Sequence, residues 1–183
     1  MLQSSPARSR RVVIQSLIAL AFLAVCALLR IFVFEIALIT SESMQPTFRK
    51  GDYLLVNHTP KSEWKRGEIV FFKNPASWSD DGQDLLLVKR IIGLPGETVK
   101  YSLGQVSING ERLSEPYLKE VELPDDARPI QLGPNQYYVL GDNRDNSDDS
   151  RINGPIEAKD IRSSAVGLVF PFATFKWFSL PDY

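Results

Sequence analysis

The residues able to do chemistry in this chain are a pair of serines and a lysine. Ser41-Glu42-Ser43-Met44-Gln45-Pro46-Thr47 sets two hydroxyls two residues apart, just after a long apolar run. With residues 36–43 extended, Ser41 and Ser43 point to one face, because strand side chains alternate with a period of two. One hydroxyl can then serve as a nucleophile and the other as a neighbouring hydrogen-bond donor. Pro46 favours an extended or turn conformation before it and helps to end the strand. Taken alone, the segment also fits a polar turn following a membrane span.

A serine hydroxyl is a poor nucleophile until a base takes its proton. His58 is the single histidine and lies in a polar loop beside Thr59-Pro60, where it reads as a solvated surface residue. Lys89 is the remaining candidate. On a strand over residues 85–92, Leu85, Leu87, Lys89 and Ile91 share one face, and Leu86, Val88, Arg90 and Ile92 the other. A lysine on an apolar face is desolvated, which lowers its pKa, and a neutral amine near pH 7 can act as a general base. Arg90 adds a like charge that pushes the same way unless a carboxylate neutralises it. The competing reading has Lys89 snorkelling at a sheet edge.

Other chemistries are narrowed by counting. Cys26 is the only cysteine and falls inside the apolar run, which excludes an internal disulfide and a cysteine nucleophile in the rest of the chain. With one histidine, a histidine-rich zinc site cannot be built. Asp142 to Ser150 holds four aspartates, which raises the possibility of a calcium loop. An EF-hand loop needs oxygen ligands at its first, third and fifth positions, Gly at the sixth and Glu at the twelfth. Counted from Asp142, the third is Arg144 and the twelfth Asn153; counted from Asp145, the sixth is Ser150 and the twelfth Ile156. Neither register works.

These residues have to be positioned by what surrounds them. The 183 residues suit one domain plus an anchor, with an apolar content of 44% that is ordinary for a chain with a core. Val12 to Leu29 is an apolar run broken only by Gln15 and Ser16. A helix of that length spans ~27 Å, and Ile31 to Phe34, with Arg30 snorkelling to the interface, completes a bilayer crossing. Residues 1–11 are then a cytoplasmic tail, 12–34 a transmembrane anchor and 35–183 an extracytoplasmic domain. Arg8, Arg10 and Arg11 before the span keep the N-terminus in the cytoplasm. They also suit the basic region of a cleavable secretory signal, but the apolar stretch is long for one. Of 21 basic residues, four arginines lie in the first 34, which hold no acid; the remainder carries 17 basic against 22 acidic residues. That balance argues against a nucleic-acid partner.

After the span the pattern is of short β segments separated by Gly and Pro turns. Strands are expected over Glu35–Thr40, Gly51–Asn57, Glu68–Phe72, Leu85–Ile92, Glu97–Ser102, Val106–Leu113, Gln136–Leu140 and Ala165–Phe170. Asn109-Gly110 is the best hairpin signal. Residues 76–84 read as a solvated loop, and 114–135, with four prolines, as irregular. The expected class is mainly β behind one N-terminal transmembrane helix.

Four blocks in order carry a family resemblance: Ser41–Thr47, Arg66-Gly67-Glu68-Ile69-Val70-Phe71-Phe72-Lys73, Leu87-Val88-Lys89-Arg90-Ile91-Ile92-Gly93-Leu94-Pro95-Gly96, and Gly141-Asp142-Asn143-Arg144-Asp145-Asn146-Ser147-Asp148-Asp149-Ser150-Arg151. Together they make the chain resemble type I signal peptidases, from the span to about residue 170. The resemblance implies an antiparallel, coiled, partly barrel-like β-fold. It implies a Ser43 nucleophile, a Lys89 general base, and an oxyanion hole from the Ser41 hydroxyl and the Ser43 backbone N–H. It further implies that Ser147 orients the base amine, that Arg90 and Asp142 form a structural ion pair, and that Asp149 and Arg151 are charged supports. Ala37, Ile39 and Ser41 share a strand face, Met44 and Phe48 follow Ser43, and Leu87 shares the face of Lys89; the matching family positions line shallow apolar substrate pockets. Two positions depart from the family pattern: Thr40 stands where Pro or Gly is common, and Ile152-Asn153-Gly154 follows Arg151 where an aromatic residue is usual.

The implied function is a membrane-anchored serine endopeptidase that removes signal peptides from exported preproteins after small residues, on the outer face of a bacterial plasma membrane or a related organelle or thylakoid membrane. Its implied partners are preproteins, membrane lipid and the export translocon, and no metal or organic cofactor is implied. Two other readings remain open at this point: a specialised processing or self-cleaving Ser/Lys peptidase, and a catalytically silent anchored β-domain. Glu35 to Glu42 reach at most ~29 Å when fully extended, so the site is expected close to the membrane surface.

Overall fold

The computed structural model describes residues 6–78, 86–118 and 128–183, with side chains described for all of these except 6–9 and 29–32. Residues 79–84 of the expected 76–84 loop, the first residue of the 85–92 strand, residues 119–127 of the irregular segment and the Arg30 side chain lie outside that description. The chain divides into two compact units, residues 1–35 and 36–183.

The first unit is dominated by one helix, α1 (Pro6–Phe32). Arg10–Leu28 is long and apolar enough to cross a membrane, and none of it is buried against protein. A helix that is apolar all round and has no protein over it suits a lipid environment. Cys26 sits on it as a free, exposed thiol. The expected anchor ran to residue 34, whereas α1 stops at Phe32 and a strand starts at Phe34.

The second unit is built from antiparallel strands. In chain order they are β1 (Phe34–Leu38), which begins two residues before the unit boundary, β2 (Tyr53–Asn57), β3 (Ile69–Lys73), β4 (Leu86–Gly93), β5 (Thr98–Ser102), β6 (Gln105–Ile108), β7 (Glu111–Arg112), β8 (Ile130–Gln131), β9 (Gln136–Leu140), β10 (Ile156–Glu157), β11 (Ile161–Phe170) and β12 (Lys176–Trp177). One sheet runs β1-β2-β11-β3-β4-β9-β10, with β12 also paired to β11; the other runs β7-β6-β5-β8. The mainly β, antiparallel expectation therefore describes the molecule. The Asn-Gly signal does form a tight connection: Asn109 and Gly110 have φ of 53° and 90°, the left-handed pair a type I′ turn demands.

Several short elements had no sequence signal. β8, β10 and β12 are two residues each, and α2 (Ser150–Asn153) is a single turn. Such pieces are held by their neighbours, not by local propensity. β11 begins at Ile161, four residues earlier than the pattern suggested, because a register shift between Ile161 and Ser163 breaks the alternation.

Among the described residues, three apolar clusters fill the unit. The one nearest the functional residues gathers Ile39, Met44, Phe48, Leu54, Val56, Ile69, Phe71, Val88, Ala165 and Leu168. A second lies around Val70, Phe72, Ile91 and Val139, and a third around Ile92, Val99, Tyr138 and Leu140. Since β4 sends residues into all three, it is buried from Val88 to Gly93 on both faces. That burial is what desolvates a charged residue placed on it.

Candidate active site

Ser43 reaches its position through a turn rather than through a strand. β1 ends at Leu38, and the chain is held there by Ile39 N–H to Asp52 O at 2.9 Å and Gly51 N–H to Ile39 O at 2.9 Å. It then turns, with Gln45 N–H bonded to Glu42 O and Phe48 N–H to Met44 O. The expectation that residues 36–43 are extended as a whole is thus corrected. Met44 and Phe48 are almost completely buried and anchor the turn in the core. The two hydroxyls still come together, with Ser41 Oγ 3.4 Å from Ser43 Oγ.

β4 supplies Lys89, paired opposite Val70 of β3. Its side chain lies in the sheet interior, and Nζ is 2.8 Å from Ser43 Oγ in hydrogen-bond contact. Burial is the largest influence on the amine and pushes its pKa below the ordinary lysine value. Asp149, Asp148 and Asp142 pull it back up in part, while the Arg151 charge pushes it further down. Arg90, expected to supply that like charge, is instead neutralised. Its Nε and Nη2 bind Asp142 Oδ1 and Oδ2 at 2.8 and 2.6 Å, and Nη1 donates to Gly67 O at 2.9 Å. A neutral amine within 2.8 Å of a hydroxyl is placed to take its proton.

The acidic block wraps the backbone of the nucleophile candidate. Asn143 N–H donates to Ser43 O at 2.9 Å, and Asn143 Nδ2 donates to Glu42 O at 3.1 Å. Gly141 lies so close that a Cβ there would stand 2.5 Å from Ser43 O and 2.2 Å from Ser147 Oγ. Asp149 caps α2 and accepts from Gly141 N–H at 3.1 Å and from Arg151 Nε at 2.9 Å. Asp142 and Asp149 are therefore committed to arginines, and among the described residues no group of three or more His, Cys, Asp or Glu is placed to hold a metal. Ser147 lines the same cleft as Ser43 and Lys89, but its Oγ is buried without a hydrogen-bond partner among the described residues. The expected contact from Ser147 to the lysine amine is not made here.

The cleft has a volume of about 740 Å³. Of the five residues assigned to a substrate pocket, Ile39 and Leu87 line it. Met44 and Phe48 do not, because they are spent on the core beneath the turn, and Ala37 packs against that core. Residues with no such assignment take their place, notably Leu86, Val88, Phe71 and Trp78. Parity along β1 could not show this, since the strand ends before the turn begins. His58 is not among the cleft residues. Also unforeseen were Glu115 and Tyr117, from the proline-containing segment. Glu115 pairs with Arg144 at 2.5 Å, and the Tyr117 ring lies 3.9 Å from the Arg90 guanidinium carbon. No periodicity marks either residue.

A serine hydroxyl against a buried lysine, in an open groove of an antiparallel β domain and away from the lone histidine, is the arrangement of a serine hydrolase that works without histidine. Comparison with known proteins narrows that class. The chain matches the family model described as signal peptidase, peptidase S26, over residues 10–170, and it belongs to that family. It is 40% identical over 157 residues to a signal peptidase I of Bacillus amyloliquefaciens, covering 79% of this chain and 80% of the relative. A signal peptidase I of Bacillus licheniformis is 38% identical, with 79% and 81% covered. A solved signal peptidase I structure from Enterococcus faecalis aligns with 57% of this chain and 98% of its own, at 30% identity and a TM-score of 0.47.

Proposed function

We propose that this protein is a membrane-anchored endopeptidase that removes N-terminal signal peptides from exported preproteins, with Ser43 as nucleophile and Lys89 as general base. The observation that carries the assignment of roles is the 2.8 Å contact between the Lys89 amine and the Ser43 hydroxyl, with both residues buried beside a cleft. Lys89 takes the Ser43 proton as Oγ attacks the scissile carbonyl carbon. The resulting oxyanion is held by the Ser41 hydroxyl and the Ser43 backbone N–H. The lysine then gives its proton to the leaving amine, and the C–N bond breaks to leave an ester on Ser43. Water, deprotonated by the same amine, hydrolyses the ester and restores the serine. The Arg90–Asp142 and Arg151–Asp149 pairs hold the elements that carry the site.

Substrate geometry follows from the sheet. Leu86 to Lys89 of β4 pair with β3 on one edge, whereas β9 pairs only with Arg90 to Gly93 on the other. The second edge of residues 86–89 faces the cleft, so an extended peptide can lie along it as an added strand. Ile39 and Leu87 then flank the side chains nearest the cleaved bond. Residues 1–11 lie in the cytoplasm, the apolar helix crosses the bilayer, and residues 35–183 work on the outer face, in contact with membrane lipid and within reach of the export translocon.

The test is incubation of the detergent-solubilised protein with a preprotein, run beside Ser43→Ala. Cleavage after a small residue by the wild type alone supports the reading. Equal behaviour of the two proteins overturns it.

A further inference from the structure

Behind the Ser43–Lys89 contact lies a chain of buried polar groups that those two roles leave unused. Glu115 and Tyr117 sit at its centre. Arg144 donates from Nη2 to Glu115 Oε1 at 2.5 Å and from Nη1 to Oε2 at 3.2 Å, and both side chains are nearly fully buried. The Arg144 Nε donates to Gly141 O at 3.1 Å. Gly141 is the residue pressed against Ser43 O and the Ser147 side chain. Arg144 O in turn accepts from Arg151 Nη2 at 2.7 Å.

The same two residues also reach β4. Tyr117 donates from its hydroxyl to Glu115 Oε1 at 2.7 Å, while its ring lies 3.9 Å from the guanidinium carbon of Arg90. Arg90 follows Lys89 in the strand and holds Asp142 with two hydrogen bonds. One short segment therefore touches two arginines beside the site, Arg90 and Arg144. One arginine stands on the strand that carries Lys89, and the other on the turn that touches Ser43. A buried carboxylate needs a compensating partner, and here that partner fixes the turn.

We propose that Glu115 and Tyr117 are positioning residues that lock the 141–147 turn to β4 and so set the approach of Lys89 to Ser43. The proposal rests on the Ser43 and Lys89 roles given above. Neither residue lines the cleft, so neither is expected to touch substrate. Glu115→Gln keeps the size of the side chain and removes the charge that Arg144 requires. Tyr117→Phe keeps the ring over Arg90 and removes the hydroxyl to Glu115. Displacing a catalytic group by about 1 Å costs up to ~10²-fold in rate.

The experiment measures kcat and KM on one preprotein for wild type, Ser43→Ala, Glu115→Gln and Tyr117→Phe, with rates normalised to the folded fraction. The pH dependence of kcat/KM is taken for each active protein. Lys89 is faced by Asp142, Asp148, Asp149 and Arg151; a loosened turn hydrates it and relieves the desolvation that lowers its pKa. Glu115→Gln should lose about 10- to 100-fold in kcat with KM little changed, and its acid limb should move to higher pH. Tyr117→Phe should shift the same quantities less. Wild-type kcat and an unmoved acid limb in folded Glu115→Gln overturn the proposal even if that variant is less stable. If Glu115→Gln does not fold, Tyr117→Phe decides on the same terms. A wild type no more active than Ser43→Ala overturns the underlying peptidase roles instead.

Discussion

Lys89 Nζ lies 2.8 Å from Ser43 Oγ, and the two residues are 4% and 8% exposed. The contact joins a turn anchored by Met44 and Phe48 to the middle of a buried strand, 46 residues further along the chain. Removing either side should end catalysis without emptying the core. Ser43→Ala and Lys89→Met are each expected to reduce preprotein processing to background while near-UV circular dichroism stays native. His58→Ala should retain near-wild-type rates. Strong loss in His58→Ala with Lys89→Met still active would reverse the assignment.

The pH dependence has a definite sign. Burial lowers the Lys89 pKa from its ordinary 10.5, so the neutral base is present above the depressed value and protonated below it. Activity should rise with pH through that value and fall away in acid. Stability follows from linkage. As pH falls from 10.5 towards the folded value, the unfolded chain takes up a proton that the folded chain refuses, so stability drops over that window and levels off below it. Lys89→Met lacks that drop. Urea unfolding of both proteins across the range should therefore show Lys89→Met gaining on the wild type as pH decreases.

Ser41 should matter less than Ser43. Losing one oxyanion donor typically costs ~10²–10³ in turnover. With its hydroxyl 3.4 Å from Ser43 Oγ, Ser41→Ala should be slowed by about that factor yet remain above background in a single-turnover assay. An unimpaired Ser41→Ala enzyme would remove the residue from the oxyanion hole.

How far the site could be read from the sequence differs between residues. The apolar run around Lys89 announced a buried strand, and Asn109-Gly110 announced its turn, because both signals are local. Met44 and Phe48 were misplaced because their side chains turn under the chain where β1 has already ended. That ending is set by hydrogen bonds between Ile39 and residues 51 and 52, not by an alternation pattern. Glu115 was invisible for the opposite reason. Its partner, Arg144, is 29 positions away, and a proline-containing segment offers no period from which burial can be inferred.

Gly141 tests the packing of the turn directly. A methyl group there would meet Ser147 Oγ at 2.2 Å and Ser43 O at 2.5 Å. The hydroxyl can rotate away, but the Ser147 Cβ, at 2.6 Å, and the backbone carbonyl of Ser43 cannot. Gly141→Ala should therefore fold with reduced stability, in the range of ~1–3 kcal/mol for overpacking, and lose processing out of proportion to that change. Parallel denaturant melts and rate measurements check it.

The groove beside β4 sets the final expectation, which concerns what is cut. A peptide lying along the open edge of Leu86 to Lys89 points alternate side chains into the groove. The residues before the cut and third before the cut then meet the floor formed with Ile39 and Leu87. Ile39 is only 3% exposed and packed into the core beneath, so that floor cannot retreat. A side chain much larger than Ala must displace packed atoms, at a cost of about 1–3 kcal/mol or more, as in an overfilled core. The second residue before the cut points away from the floor and escapes that cost. Ala→Phe at the residue before the cut should slow processing of a preprotein by about 10- to 100-fold or more, whereas the same change at the second residue should leave the rate within a few fold. Gel-based cleavage of the three substrates under single-turnover conditions measures the difference. Equal cleavage of the Ala and Phe substrates would mean that Ile39 and Leu87 do not bound the subsite next to Ser43.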